Sequence, residues 1–477
     1  MSAVAALVVA AALAGCGGTT YFAARTLPPS GLTNRVLIAI QNPSAFTKGA
    51  LTFVDAYYDT RSGYNGKPAS FGISGFAGAL PITIQNMPEE QLAAVYGAGD
   101  GTLTTINYSN ESTGGSAGTL NGLSSSVFVT RNQAYVFAAS QTSRVLTVLD
   151  RTNGGSYPLS LPGIYRVSVN SGGSVALAFV QNSNYVYYPR KLTTAQGIAY
   201  SGGSSTWPKA AVDCEPQNAP GWCLFQALDP ASTSAKIIPL VFDRPVKAVF
   251  SSDGGTAYVL NCGPECGGSK ASITPLTVAP MIYLIGQQSG TLPTSAALAS
   301  STIPIPGGAS NALVDTSTLY VVGQKPQQLQ GQTLFAGNLT VVDFSKSPAA
   351  VSSSIPISDG APGAVSRMLL ADDNTLWIGM TQCTNGVRAA TGQSYGCLTM
   401  FNTSKNAVTL IEPYIGDLTG IAGVTGLHKI YVAQGGQVYI YSTVDGTSID
   451  NQYVTVTGTA YDVAYMDGLT DGNNTVY

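Results

Sequence analysis

Hydrophobic and polar positions alternate along most of the chain after residue 36, in short runs rich in Val, Ile, Tyr and Thr. Gly, Asn, Asp and Ser interrupt these runs about every eight to twelve residues, a spacing typical of strands joined by tight turns. The longest helical candidate, residues 88–92, is enough for a single turn. The pattern therefore predicts an all-β chain.

One unit of four strands recurs, and its clearest copy lies between residues 127 and 161. Its strands are predicted at 127–129, 134–137, 145–150 and 157–161, with a turn or loop after each of the first three. Four strands in about 35 residues is the size of one blade of a β-propeller.

The second strand of this unit is its most regular part, and it occurs eight times. The copies lie at residues 36–39, 93–96, 134–137, 175–178, 257–260, 319–322, 376–379 and 430–433. Each four-stranded blade buries its faces on its two neighbours, so blades are stable only in a closed ring. The chain is predicted to be a propeller of eight four-stranded blades, or of seven if residues 36–80 form an irregular cap.

The two ends of the chain complement each other. The first blade has candidate second, third and fourth strands near residues 36, 51 and 71 but no first strand, whereas residues 461–468 form a first-strand pattern without a blade. We therefore expect the C-terminal strand to complete the N-terminal blade, which removes the exposed sheet edges of an open ring. Residues 473–477 have no place in this scheme.

Two segments resemble the YVTN family of propeller repeats. They are Ala-Tyr-Val at 257–259, after Ser-Ser-Asp-Gly-Gly at 251–255, and Leu-Thr-Val-Val-Asp at 339–343. The resemblance extends over nearly the whole chain after residue 35, and it implies a propeller fold but no particular activity. It also implies a likeness to the lactonase and lyase propellers, which rely on His, Arg and Glu at the central channel.

An apolar run at residues 3–14 precedes Cys16, and the sequence Leu-Ala-Gly-Cys at 13–16 resembles the lipobox of bacterial lipoproteins. The run is too short to cross a bilayer but long enough for an export signal, although residues 1–15 contain no Lys or Arg. The resemblance implies a signal peptide over 1–15, lipidation of Cys16, a flexible tether over 16–33 and a propeller over 34–477. In lipoproteins of this type, a residue such as Gly17 directly after the lipidated cysteine favours sorting to the outer membrane. The alternative is a free buried cysteine after an Ala-rich helix.

The other six cysteines fall into three close pairs, as expected of disulfides in an exported chain. Pairing within each couple closes the shortest loops; the couples are Cys214 with Cys223, Cys262 with Cys266, and Cys383 with Cys397. Zinc is the competing interpretation of the Cys-x3-Cys spacing, but the chain has a single histidine, His428, to add to its cysteines. We predict no metal and no cofactor.

The cysteine pairs are predicted in the loops between second and third strands of blades four, five and seven, which would place all three on one face of the disc. The largest of these loops, residues 185–224, contains most of the aromatic residues that we single out as candidate binding groups. They are Tyr185, Tyr187, Trp207 and Trp222.

Charge is sparse: 10% of residues are Asp, Glu, Lys or Arg, against roughly 25% in an average soluble protein. The net charge is −3 and no basic stripe occurs, so the sequence argues against a nucleic-acid partner. His428 alone cannot form a catalytic triad, and the adjacent acids 89–90 and 372–373 are typical of solvated turns. We assign no catalytic residue.

These features favour a non-catalytic lipoprotein that binds an envelope protein or a polysaccharide and attaches to the membrane through Cys16. The alternative is a divergent envelope hydrolase or lyase that works with carboxylates. An enzyme of that kind should bring acids together with an Arg or Lys at the channel, whereas a scaffold should expose a broad apolar and aromatic patch.

Overall fold

The computed structural model describes residues 20–21, 25–46, 48–59, 71–114, 118–120, 122–193, 211–216, 221–227, 242–283, 302–329, 332–358, 363–381, 383, 395–449 and 454–470. These residues form antiparallel sheets arranged in a ring, an eight-bladed β-propeller. All eight predicted second strands are present. The described residues contain no helix long and apolar enough to cross a membrane.

Blade one takes its first strand from the C-terminal part of the chain. Its strands, from the axis outward, are β35 (Thr459–Tyr465), β3 (Arg35–Gln41) and β4 (Gly49–Asp55), with a bridge from Thr52 to Gly72 at the outer edge. Blade two consists of β5 (Pro81–Met87), β6 (Leu92–Gly97) and β7 (Thr102–Asn107), with β8 (Ser112–Thr113) and β9 (Gly118–Thr119) outermost. Blade three consists of β10 (Ser126–Val129), β11 (Tyr135–Ser140), β12 (Val145–Asp150) and β13 (Gly155–Ser160).

Blade four departs from the simple order at its outer edge. After β14 (Ile164–Val169), β15 (Ala176–Val180) and β16 (Val186–Lys191), the fourth position is taken by β18 (Trp222–Gln226) and the fifth by β17 (Ala211–Glu215). Blade five consists of β19 (Pro245–Phe250), β20 (Thr256–Asn261), β21 (Ser272–Thr277) and β22 (Ile303–Pro304).

Blade six contains the longest hairpin, and its strands are β23 (Asn311–Asp315), β24 (Thr318–Leu329), β25 (Gln332–Asp343), β26 (Ala350–Val351) and β27 (Ile355–Pro356). Blade seven consists of β28 (Ala364–Ala371), β29 (Thr375–Thr381), β30 (Tyr395–Asn402) and β31 (Ala407–Ile415). Blade eight consists of β32 (Leu418–Val424), β33 (Lys429–Gln434) and β34 (Gln437–Ser442), with a bridge from Val438 to Val454.

Short elements lie outside the blades. A two-stranded sheet joins β1 (Thr20–Tyr21) to β2 (Arg25–Thr26), and 3-10 turns occur at Gly263–Cys266, Ala279–Met281 and Asp372–Asn374.

The core lies between the blades. Among the described residues, each interface between neighbouring blades contains its own cluster of buried apolar side chains, including the interface between blades eight and one. The alternation in the sequence explains this arrangement, because successive residues of a strand point to opposite faces of a blade and both faces are covered.

The predicted closure of the ring is confirmed. β35 pairs antiparallel with β3, and Val36 lies opposite Tyr465. Arg35, the first residue of β3, and Asp467, two residues after β35, form a fully buried ion pair in which Nη2 lies 2.6 Å from Oδ1. The same guanidinium reaches Glu111 of blade two at 2.8 Å, so this cluster fixes both chain ends to the neighbouring blade.

The folded body begins before residue 34. Leu32 is buried, and the backbone N–H of Ser30 donates to Oε2 of Glu111 at 2.9 Å. Arg25 bonds to three backbone carbonyl groups of the propeller. The predicted flexible tether over 16–33 is therefore wrong for residues 25–33, which pack on the disc.

Antiparallel strands give the disc two distinct faces. The 2–3 face has the connections between second and third strands and between successive blades. The 1–2 face has the connections between first and second strands and between third and fourth strands.

Candidate functional site

The innermost strands of the blades surround a central channel, and a shared irregularity sets which side chains face it. In six blades the pairing between the first and second strands shifts by one residue near the start of the first strand. Such a β-bulge re-aims the side chains that follow it. The residues just after the bulge, at one level around the axis, are Thr83, Arg166, Lys247, Arg367, Gly420 and Asp462.

Three of these six side chains are basic, and they influence one another. Lys247 is buried, and its Nζ donates to Oδ1 of Asn311 at 2.7 Å. Burial holds the pKa of the Lys247 amine well below its ordinary value, and the charges of Arg166 and Arg367 add to this effect. Burial also lowers the pKa of the Arg166 guanidinium, with a further contribution from Arg367. Basic groups from blades four, five and seven therefore converge inside the channel.

Asp462 is the acidic member of this level, which we call the channel ring. Its Oδ1 lies 3.8 Å from Nε of Arg367, and its Oδ2 accepts a hydrogen bond from the backbone N–H of Ile84 at 2.8 Å. Burial raises the pKa of this carboxyl to about 6, although Arg367 acts in the opposite direction. The group can therefore exchange a proton close to neutral pH.

Gly420 explains how Arg367 and Asp462 meet. The arginine belongs to blade seven and the aspartate to blade one, and Gly420 occupies the same level on blade eight, between them. A Cβ on Gly420 would lie 2.7 Å from Oδ1 of Asp462. The missing side chain leaves the space in which the two charged groups approach.

A cavity of about 530 Å³ opens on the 1–2 face and reaches two members of the channel ring. Lys247 and Asp462 line its inner part, and Pro88, Arg131 and Gly468 lie at its mouth. Among the described residues that line it, Asp462 is the single carboxylate. Arg131 at the rim pairs with Glu89 at 2.7 Å, whereas three basic groups and one carboxylate lie deeper, at the ring.

The predicted disulfide pairs are confirmed. Cys262–Cys266 forms in a connection between second and third strands, and Cys383–Cys397 joins such a connection to the beginning of β30, at the expected face. Cys214–Cys223 instead joins the two outermost strands of blade four near Lys191, at the 1–2 end. The prediction that all three disulfides share one face is therefore wrong, because an unforeseen hairpin forms the outer edge of blade four.

The predicted binding aromatics do not form a surface patch. Trp222 is fully buried, and its Nε1 donates to Oδ2 of Asp150 at 3.2 Å, so its proposed place on a binding face is wrong. Tyr185 and Tyr187 are half-buried, and Tyr187 packs against the core between blades three and four. Trp207 and Cys16 lie outside the described residues.

The turn residues considered for catalysis serve as braces between blades. His428 is exposed, and its Nδ1 lies 2.9 Å from Oδ2 of Asp373, which also accepts a bond from Thr443. Asp467, in the turn after the last strand, is the partner of Arg35. Within the described part of the chain, no cluster of three His, Cys, Asp or Glu side chains could hold a metal ion.

Sequence reasoning missed the channel ring. Arg166, Lys247 and Arg367 each interrupt an apolar first strand, and a comparison of the eight repeats at equal register would have shown them at equivalent positions. Their spacing along the chain gave no sign of convergence, because each comes from a different blade.

The solved structures that resemble this chain are β-propellers, and the functions given in their names differ. A dihydro-heme d1 dehydrogenase, NirN, in complex with DHE, is 12% identical with a TM-score of 0.51, over 95% of this chain and 78% of that one. A putative 6-phosphogluconolactonase from Bacteroides fragilis is 9% identical with a TM-score of 0.46, over 91% and 98%. Apo AztD from Citrobacter koseri is 10% identical with a TM-score of 0.45, over 91% and 97%.

No family profile and no curated protein sequence matches the chain. The likeness to the dehydrogenase structure, at a TM-score of 0.51, shows the fold alone, and a propeller by itself does not specify an activity.

Proposed function

We propose that this protein is a lipid-anchored binding protein of the bacterial envelope whose central channel takes an anionic ligand. The observation that supports this proposal is the convergence of Arg166, Lys247 and Arg367 at one level of the channel, with Asp462 as the acidic group beside them. Like charges in a desolvated site repel one another, and a bound anion offsets that repulsion. Guanidinium groups also suit carboxylates and phosphates, which they can bind with two parallel hydrogen bonds.

The channel ring changes the recognition mode expected for a partner. With Trp222 in the core, the case for an aromatic surface patch is weak. An envelope protein or polysaccharide would instead insert an acidic side chain, a uronic carboxylate or a phosphate into the mouth on the 1–2 face. The cavity volume of about 530 Å³ is in the range of small-molecule sites.

The binding test compares channel variants with a matched surface variant. We expect isothermal titration to detect binding of at least one of three probes and to distinguish their affinities. The probes are inorganic phosphate, citrate and a uronate oligosaccharide. Arg166→Gln, Lys247→Gln and Arg367→Gln should each weaken that binding about tenfold, the equivalent of about 1.4 kcal/mol. Lys405→Gln, on an exposed turn of blade seven, should not change it. Binding that is absent for all three probes, or equal in all variants, would refute the channel as an anion site.

The anchor is tested separately. Mass spectrometry of the N-terminal peptide from the native protein should show acylated Cys16, and Cys16→Ser should move the protein from the membrane fraction to the soluble fraction. Density separation of inner and outer membranes then tests the outer-membrane assignment. An unacylated Cys16 in the native protein would refute the anchor and leave the channel test intact.

A second candidate function, a lyase or hydrolase that works with carboxylates, is favoured by one observation. Asp462 lines the cavity, its pKa is raised to about 6 by burial, and an arginine lies beside it, which is typical of general acid–base groups. Hydrolysis by two carboxylates requires a second acid, and Asp462 is the single acid among the described residues that line the cavity. Turnover of a lactone or polysaccharide that Asp462→Asn abolishes, while binding persists, would favour the enzyme.

A further inference from the structure

We propose that the 1–2 face, on which the channel opens, lies against the lipid surface to which Cys16 is anchored. This inference rests on the proposed lipid anchor and adds an orientation: the ligand would enter the channel from the membrane side.

The first observation is the docking of the N-terminal segment at the mouth of the channel. The guanidinium of Arg25 donates from Nη2 to the carbonyl oxygen of Pro88 at 2.8 Å, and from Nη1 to that of Gly468 at 3.0 Å. Both acceptor residues line the cavity at the 1–2 face. The chain is therefore held at the rim itself.

The second observation is the short length of chain between this contact and Cys16. Thr20 pairs with Thr26 in the small N-terminal sheet, which brings their Cα atoms to about 5 Å. The four steps from Thr20 to Cys16 span at most about 14 Å. Cys16 therefore lies within roughly 20 Å of Thr26 at the rim.

That reach is too short for the opposite face. A strand of six residues makes the disc about 20 Å thick, and a four-stranded blade extends about 15 Å outward from its first strand. A path from the rim over the blade and down its outer edge would thus exceed 30 Å. This reach excludes the 2–3 face and leaves the 1–2 face or the edge of the disc. The exposed apolar side chains described next favour the 1–2 face.

The third observation is the location of exposed apolar side chains. Val444 is 64% exposed, Leu469 55%, Tyr57 60% and Tyr58 46%. All four lie at the 1–2 ends of blades eight and one, and Arg25 docks on blades one and two, so both groups share blade one. Exposed apolar residues that share one location mark contact surfaces, and tyrosine suits a membrane interface. Phe46 and Leu123 are exposed on the 2–3 face and serve as controls.

The experiment places one fluorophore at a time on the acylated full-length protein bound to vesicles. Val444→Cys and Leu469→Cys report on the 1–2 face, and Phe46→Cys and Leu123→Cys on the 2–3 face. Each is labelled with bimane in vesicles of phosphatidylethanolamine and phosphatidylglycerol that contain a spin-labelled headgroup lipid as quencher. We expect at least twofold stronger quenching at the first two positions than at the last two.

The outcomes separate the orientation from the anchor. Vesicle-bound, acylated protein with equal or reversed quenching would refute the orientation and leave the anchor standing. Protein that is not acylated and does not bind vesicles would refute both. Arg25→Ala should reduce the difference between faces while leaving acylation unchanged, and an undiminished difference in that variant would overturn the role assigned to Arg25.

Discussion

The guanidinium of Arg35 and the carboxylate of Asp467 form a fully buried pair at the closure of the ring. Nε and Nη2 of Arg35 lie 3.0 Å and 2.6 Å from the two oxygens of Asp467, and the backbone N–H of Arg35 donates to the same carboxylate at 2.7 Å. The pair joins residues at opposite ends of the propeller sequence. It supplements the ladder between β3 and β35, which also closes the ring.

Removal of one partner of this pair should therefore destabilise the closure of the ring. Asp467→Ala leaves the Arg35 charge buried with less compensation, and we expect the free energy of unfolding to fall by about 3–5 kcal/mol. The control is Glu89→Ala, which breaks the exposed pair with Arg131 and should cost less than about 1 kcal/mol. Urea unfolding with the disulfides intact measures both, and equal small losses would contradict the importance of the closure pair.

Gly420 should tolerate no side chain. In Gly420→Ala the new Cβ would lie 2.7 Å from Oδ1 and 2.8 Å from Cα of Asp462, so the backbone must shift. We expect a loss of about 1–3 kcal/mol in stability, together with weaker anion binding as the ring is displaced. Gly172→Ala is the matched control, because its nearest neighbour, Nδ2 of Asn170, is 4.0 Å away. Unchanged unfolding and binding in Gly420→Ala would show that the ring is not tightly packed there.

Much of the fold could be predicted because it is repeated. Period-two alternation determines which residues each blade buries, and the incomplete blades at the two ends predict the closure by β35. Blade four is the exception. The segment after Lys191 forms β17 at the outer edge and returns as β18, an excursion that the alternation does not reveal.

The candidate site could not be predicted in the same way. The meeting of Arg367 with Asp462 depends on a bulge in the first strands of blades seven and one, and on the small size of Gly420 between them. A bulge leaves only a subtle change in the alternation. The sequence pattern predicts Trp222 in a long loop on a binding face. The residue instead begins β18, and its buried indole donates to Asp150.

Trp222 should act as a core residue and not as a binding residue. Its ring is fully buried and packs edge-on to Tyr135, with centroids 5.7 Å apart. Trp222→Ala should lower the free energy of unfolding by about 3–5 kcal/mol. Tyr57→Ala, at a 60% exposed position, should change it by less than about 0.5 kcal/mol. A stable Trp222→Ala protein that has lost partner binding would restore this residue to the binding face.

The pH dependence of stability should carry the signature of Asp462. Its pKa is raised to about 6 in the folded protein by burial, so folding favours the protonated carboxyl. The stabilisation that this group provides is complete below about pH 4 and is lost as the pH rises through 6, by roughly 3 kcal/mol for a shift of about two units. Asp462→Asn removes this loss, so its stability relative to wild type should increase between pH 4 and pH 7.

The same protonation should strengthen anion binding. Below pH 6 the neutral carboxyl no longer offsets the charge of Arg367, and the affinity of wild type for the bound anion should rise. Burial lowers the pKa of the Lys247 amine, and this group is present in wild type and in Asp462→Asn alike. Titrations of both proteins at pH 5 and pH 7.5 therefore isolate the contribution of the carboxyl. If wild type and Asp462→Asn show the same pH dependence, both in binding and in urea unfolding, Asp462 remains ionised throughout this range.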